Sequence, residues 1–398
     1  MGSLDSEKPS SLPPVTVLSG FLGAGKTTLL RHLLAQAGSA GVGPERGRRW
    51  AVVVNDLAEI NIDAQLVAQA GAARTVALGN GCVCCTVRDE LAETLAELCA
   101  TGGFDHVLVE TTGVADPRAV ADLFVRKNVF GRSLSDFARL QSLVTVVDAR
   151  AFLDERGRAG ADVGASSGGG PKTVFEVMLD QVECADVLVL NKCDLVGDAE
   201  LAGVEALLHG LNPRAEVLRA ERGQLPVERL LDRRRFDARE TLGAARWIRV
   251  LQGVPRAPLT AKSGAGGDAD GRVHGLTHFV YEARRPLVRE RFFRWLESGG
   301  LPSGLLRAKG FFWLAEQPAD IGFLSVAGGR TRCEFVGTWA AALRERGVIG
   351  GEEIPAAARA RWQEPCGDRR QELVFIGTEL PEPVMRAELD ACLEAKKS

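Results

Sequence analysis

Short runs of apolar, β-branched residues recur along the first half of the chain. Val15-Thr16-Val17-Leu18 is the first, Ala51-Val52-Val53-Val54 the second and His106-Val107-Leu108-Val109 the third. Residues 143–147 and 187–190 supply two more. Runs without polar alternation predict strands buried on both faces. Residues 28–37 and 91–98 instead carry apolar positions at helical spacing. Strands that alternate with helices predict a mainly parallel sheet covered on both sides. Residues 156–170 are rich in Gly, Ala and Ser and read as a flexible surface insertion.

The texture changes past a second polar, Gly-containing break at residues 253–272. Beyond it stand His278-Phe279-Val280-Tyr281, a helical pattern over 290–296, Gly310-Phe311-Phe312-Trp313-Leu314 and Leu373-Val374-Phe375-Ile376. Short aromatic strands with few helices predict a smaller α+β domain. The expected organisation is a disordered tail over 1–14, an α/β P-loop domain over 15–240 and a C-terminal α+β domain over 241–398. No internal repeat is visible.

Composition narrows the function class. With 398 residues the chain is long enough for two cores. A formal net charge of -3 argues against binding nucleic acid through bulk positive charge. No apolar run is long enough to span a bilayer. The polar N-terminal stretch has neither a signal-peptide core nor a transit-peptide look, so a cytoplasmic protein is expected. Met1-Gly2 with Ser6 fits a loose acylation pattern, and so short a match reads as a tail. Nine cysteines, three of them within four residues, suit a reducing compartment and a thiolate metal site better than a disulfide framework.

Gly20-Phe21-Leu22-Gly23-Ala24-Gly25-Lys26-Thr27 has the P-loop pattern, and it lies between a predicted strand and a predicted helix. The glycines let backbone N–H groups curl around a β-phosphate, and the helix points its positive end at the same place. Lys26 is expected to neutralise the β- and γ-phosphates, Thr27 to offer a hydroxyl to Mg²⁺, and Gly20, Gly23, Ala24, Gly25 and Thr28 to complete the cradle. Glu110-Thr111-Thr112-Gly113 follows the third strand. There Glu110 can reach Mg²⁺ or its water, and Gly113 can present its N–H to the γ-phosphate. In Asn191-Lys192-Cys193-Asp194, Asp194 can accept two hydrogen bonds from guanine that adenine cannot supply. Asn191 can hold that loop, and Lys192 can lay its stem along the base. The nucleotide is therefore expected to be GTP. Asp56, after the second strand, is a candidate to order the attacking water.

Cys82-Val83-Cys84-Cys85 carries a second chemistry. Thiolates at these spacings can converge on one soft ion, and zinc prefers four ligands with sulfur favoured. Cys82, Cys84 and Cys85 supply three, so the fourth place falls to water, a loop or a client. Arg88 is a candidate to offset the net negative charge. The six other cysteines read as core or loop residues, with Cys333 a candidate late ligand. His274 and His278 read as ordinary residues, since a strand follows them.

With these four motifs in this order, the chain resembles the CobW-like metallochaperone GTPases, and within them the low-zinc-induced branch. Residues 55–63, 80–89, 309–315 and 367–377 resemble that branch's switch segment, metal loop and C-terminal domain. The likeness runs from about Val15 to about Leu393. It implies slow GTP hydrolysis coupled to zinc affinity, and delivery of zinc to a client apo-metalloprotein. It also suggests a possible homodimer. Here the acid motif is Glu-Thr-Thr-Gly where the family pattern is Glu-Ser-Ser-Gly or Glu-Ser-Thr-Gly. No His-rich tract is present. The N-terminal stretch lacks the Cys-Pro segment with which some relatives reach methionine aminopeptidase. Three other readings stay open on the residues: a cobalt or nickel insertion GTPase, a nucleotide-sensing zinc module with little turnover, and a P-loop kinase, against which Asn191–Asp194 and the cysteine loop speak.

Overall fold

The computed structural model describes residues 12–39, 49–54, 74–77, 86–128, 131–161, 172–231, 233–238, 276–297 and 301–395. The chain divides into two compact units. One comprises Met1–Leu153 and Val177–Arg246, the other Asp154–Glu176 and Trp247–Ser398.

The first unit is built on seven strands: β1 (Pro14–Ser19), β2 (Trp50–Val54), β3 (Arg74–Ala77), β4 (His106–Glu110), β5 (Arg139–Asp148), β6 (Val187–Asn191) and β7 (Glu216–Arg219). Their order is β3-β2-β4-β1-β5-β6-β7, and each neighbouring pair is parallel. The helices of this unit are α1 (Lys26–Ser39), α2 (Thr86–Thr101), α3 (Pro117–Leu123), α6 (Asp198–Leu211) and α7 (Val227–Leu231), while the division between the units falls inside α4 (Ala149–Ala161) and α5 (Val174–Cys184). The central strands have no polar face because both faces are covered. Leu18, Val52, Val54 and Leu108 join one core with Leu29 and Leu33 of α1. Val15, Val17, Val53, Val107 and Val109 join another with Leu91 and Leu95 of α2. The first strand sits in the middle, between β4 and β5, so the loops after these three strands meet at one edge of the sheet. That edge is where parallel sheets place ligands.

One expectation needs correction. Residues 156–161, read as part of a flexible insertion, are the end of α4. Asp148 starts that helix by accepting from Ala151 N at 3.0 Å, and Arg158 pairs with Glu155 along it. Tertiary context and capping outweigh the cost of its glycines. Residues 162–170 lie outside the described residues, as do residues 253–272.

The second unit holds an antiparallel sheet in the order β11-β10-β9-β12-β8. Its strands are β8 (Leu276–Ala283), β9 (Leu305–Phe312), β10 (Asp320–Ala327), β11 (Arg330–Thr338) and β12 (Gln371–Thr378). Helices α8 (Arg289–Glu297) and α11 (Glu382–Cys392) share one core with Phe279, Phe312, Leu324 and Phe375 from the sheet. Two short helices, α9 (Ala340–Glu345) and α10 (Ala356–Arg359), lie between β11 and β12. This is the expected α+β texture. His278 lies in β8, and His274 is outside the described residues.

Candidate nucleotide and metal site

The loop between β1 and α1 is shaped by three glycines with positive φ: Gly20 at +137°, Gly23 at +74° and Gly25 at +103°. Two of them also lack room for a side chain. A Cβ on Gly20 would lie 2.2 Å from Val146 O, and one on Gly25 would lie 2.4 Å from Asn191 Nδ2. Only glycine satisfies both constraints. Ala24 is buried inside the loop, and Thr28 is exposed on the first turn of α1. Lys26, 8% exposed, folds back over the loop and donates to Gly20 O at 2.9 Å and Phe21 O at 3.3 Å.

The register of β1 on β4 sets Leu18 opposite Glu110. That pairing carries the acid to the P-loop. Thr27 Oγ1 donates to Glu110 Oε1 at 2.7 Å, and the carboxylate is buried. A hydroxyl and a buried carboxylate in contact beside a phosphate cradle are a hard-oxygen pair of the kind Mg²⁺ takes. Gly113 packs on the P-loop itself: a Cβ there would lie 2.6 Å from Leu22 N.

Asn191 ends β6 almost fully buried. Its Nδ2 donates to Ala24 O at 2.9 Å, and its Oδ1 accepts from Gly223 N at 3.0 Å. It thus ties the P-loop to the loop after β7. Lys192 adopts φ 60°, and its Nζ lies 2.7 Å from Asp148 Oδ2. Asp194, in the turn Cys193–Leu195, is exposed. The structure therefore gathers Lys26, Thr27, Glu110, Gly113, Asn191 and the three glycines at one sheet edge.

Residues 14–219 match the family described as "CobW/HypB/UreG, nucleotide-binding domain", and residues 276–393 match "Cobalamin synthesis protein cobW C-terminal domain". The chain belongs to the CobW/HypB/UreG family. It is similar to "Zinc-regulated GTPase metalloprotein activator 1" of Dictyostelium discoideum, 33% identical over 400 residues, which are 96% of this chain and 79% of that protein. "Zinc chaperone YjiA" of Escherichia coli (strain K12) is 28% identical over 382 residues, 94% of this chain and 96% of that one. "Zinc chaperone CobW" of Pseudomonas aeruginosa is 35% identical over 239 residues, 55% of this chain and 59% of that one.

Two parts of the expected site in this CobW-family chain fall outside the described residues: Asp56 with its segment, and Cys82, Cys84 and Cys85. The side chain of Arg88 does too. Among the described residues no group of three or more His, Cys, Asp or Glu residues could hold a metal. Cys99, Cys184 and Cys392 are buried; Cys193, Cys333 and Cys366 are half-buried. Burial pushes the Cys333 thiol up to about 12, which makes it a poor thiolate ligand.

Asp148 and Gln181 were not among the expected site residues. Asp148 is an acid at the end of an apolar strand, the same signal that marks Glu110. Gln181, 1% exposed, is a buried polar residue on a helix that also carries Glu176, Asp180 and Glu183, so nothing in the local pattern singles it out. Among the described residues no helix is long and apolar enough to cross a membrane.

Proposed function

We propose that this CobW-family chain is a cytoplasmic GTPase that couples GTP binding and hydrolysis to the binding of zinc and its delivery to a client apo-metalloprotein. The observation that carries the reading is the 2.7 Å contact between Thr27 Oγ1 and Glu110 Oε1 beside the three-glycine cradle. It brings the expected magnesium ligands together next to the lysine that would meet the phosphates. The functional division is taken as a tail over 1–14, a GTPase domain over 15–240 and a C-terminal domain over 241–398. A homodimer and no nucleic-acid partner complete the proposal.

In this mechanism the backbone N–H groups of residues 23–28 hold the phosphates. Lys26 releases the Gly20 and Phe21 carbonyls and turns its charge to the β- and γ-phosphates. Asp194 accepts from the guanine edge, while Asn191 fixes its loop against Ala24. Lys192, tied to Asp148, lays its stem along the base. Gly113 offers its N–H to the γ-phosphate, and Asp56 orders the attacking water. Thr27 and Glu110 would hold Mg²⁺, which neutralises developing phosphate charge when bound. Zinc is the cargo. Cys82, Cys84 and Cys85 take it as thiolates, and the fourth place stays open for exchange.

Two measurements test the proposal. Phosphate release from GTP should far exceed that from ATP. Competition with a zinc chelator should give tighter zinc binding with a Mg-GTP analogue than with GDP or no nucleotide, and Cys84→Ala should abolish the difference. A tenfold difference needs only about 1.4 kcal/mol of coupling. Equal zinc affinity in all three states would sink the coupled mechanism and leave a static zinc-binding module. A higher affinity for cobalt or nickel would favour an insertion GTPase.

A further inference from the structure

The turn after Glu110 is held from outside as well as by its own backbone. Ala115 N donates to Thr112 O at 3.1 Å and closes the turn. Its two outward carbonyls, Gly113 O and Ala115 O, both accept from Gln181 Nε2, at 3.0 and 3.1 Å. A primary amide has two N–H donors, so both donors of this side chain are spent on the turn. Gln181 is 1% exposed, and a buried amide holds such bonds more strongly than one in water would.

The helix that carries Gln181 is itself tied to the end of β1, where the phosphate loop begins. Thr145 Oγ1 donates to Gln181 O at 3.0 Å and stands 2.8 Å from Ser19 Oγ, the last residue of β1. One residue earlier, Asp180 lies 3.4 Å from Arg118 Nη2, and Arg118 Nε lies 3.1 Å from Asp116 on the far side of the same turn. Burial alone would lower the Arg118 pKa, but Asp116, Cys184, Asp180 and Glu183 outweigh it and raise it. The turn is thus held at Gly113 and Ala115 directly from α5, and at Asp116 through Arg118 of α3, which pairs in turn with Asp180 of α5.

We infer that Gln181 is a positioning residue for hydrolysis: it presses the Gly113 turn onto Leu22 of the P-loop, where Gly113 can meet a γ-phosphate. The inference rests on the GTPase reading. It makes a specific demand, because GDP has no γ-phosphate. Losing the amide should harm what depends on that phosphate and spare the rest. A helix residue that merely packs would affect GDP and GTP alike.

The test uses the full chain with Gln181→Met, which keeps length and removes the donors. Phosphate release at saturating GTP should fall about tenfold or more, since small misplacements at a reacting centre cost that much. The preference for a GTP analogue over GDP should shrink by a similar factor, while GDP affinity stays within about twofold of wild type. Gln181→Glu keeps the volume and sets a carboxylate against two carbonyls. It should show the same split, and it carries the test if the Met variant does not bind GDP. Unchanged turnover in either variant that binds GDP, or equal losses for GDP and GTP, would overturn the role of Gln181 alone. A wild-type chain that releases no phosphate from GTP would overturn the GTPase reading itself.

Discussion

Two stretches of this chain look alike on paper and are used differently. One is the P-loop with its companions at the edge of the parallel sheet. The other is Gly367-Asp368-Arg369-Arg370-Gln371-Glu372, at the start of β12 in the second unit. Both pack charged side chains beside glycine at a strand end. In the second, every polar side chain is spent on the scaffold. Asp368 accepts from Ala340 N and Ala341 N at 3.0 and 2.8 Å and caps α9. Arg369 forms a two-pronged pair with Glu345. Gln371 bonds Trp313 through both N–H and C=O. Glu372, fully buried, pairs with Arg370 and Arg361. In the first, the lysine and the threonine rest on groups they can release, and the backbone around them is bent at three glycines. A motif built to bind keeps exchangeable partners around bent backbone. A motif built to brace has its partners locked inside the fold.

That contrast can be broken by substitution. Lys26→Ala should have the largest effect, lowering phosphate release from GTP by about a thousandfold, as loss of a main phosphate-charge donor does. Thermal stability without nucleotide should change little. Glu110→Gln should follow, with turnover down about a hundredfold and a need for more Mg²⁺ to reach half-maximal rate. If turnover keeps its normal Mg²⁺ requirement, the Thr27–Glu110 pair is not the magnesium site.

The bracing stretch should give the opposite signature. Arg370→Met strips Glu372 of one cation, and breaking a buried pair costs about 3 kcal/mol or more. The melting temperature should drop by about 6 °C or more, while turnover per folded molecule stays at the wild-type value. A loss of turnover without a loss of stability would place this stretch in the functional machinery.

The smallest effect concerns the scattered thiols. Burial pushes Cys99 up to about 11 and Cys333 up to about 12, from an ordinary value of 9.0. Both should resist alkylation in the native protein near pH 8, read by mass spectrometry. Above pH 9 the unfolded chain loses these protons first and then binds fewer than the folded one. Stability should therefore fall as pH rises from about 9 towards 11. Cys99→Ala should flatten part of that slope in a denaturant titration.

The central strands and the three loops that follow them were legible because one signal repeats: an apolar run, then glycine or a polar residue. The edge strands β3 and β7 were not. Each is four residues long and carries charge, as edge strands do. The strand that holds Gly310-Phe311-Phe312 begins at Leu305 and stops before Trp313, whose N–H is taken by Gln371 from 58 positions away. Within the site, residue types and spacing pointed to Lys26, Thr27 and Glu110. Nothing local could reveal that Asn191 bridges Ala24 and Gly223, or that Gln181 holds Gly113. Those partners meet only through the tertiary fold.

The Thr27–Glu110 contact also has a meaning in time. Its two residues stand 83 positions apart and meet only when β1 lies beside β4. Such distant pairings close late, because a long loop must lose its freedom first. A chain part-way through folding would have its glycine loop before it had the acid that completes the pocket. Nucleotide would then bind only the finished sheet, and at a hundred times its dissociation constant it would add about 2.7 kcal/mol against unfolding. For a newly made chain, the first molecule of GTP would act as a latch on a completed fold before it acts as a substrate.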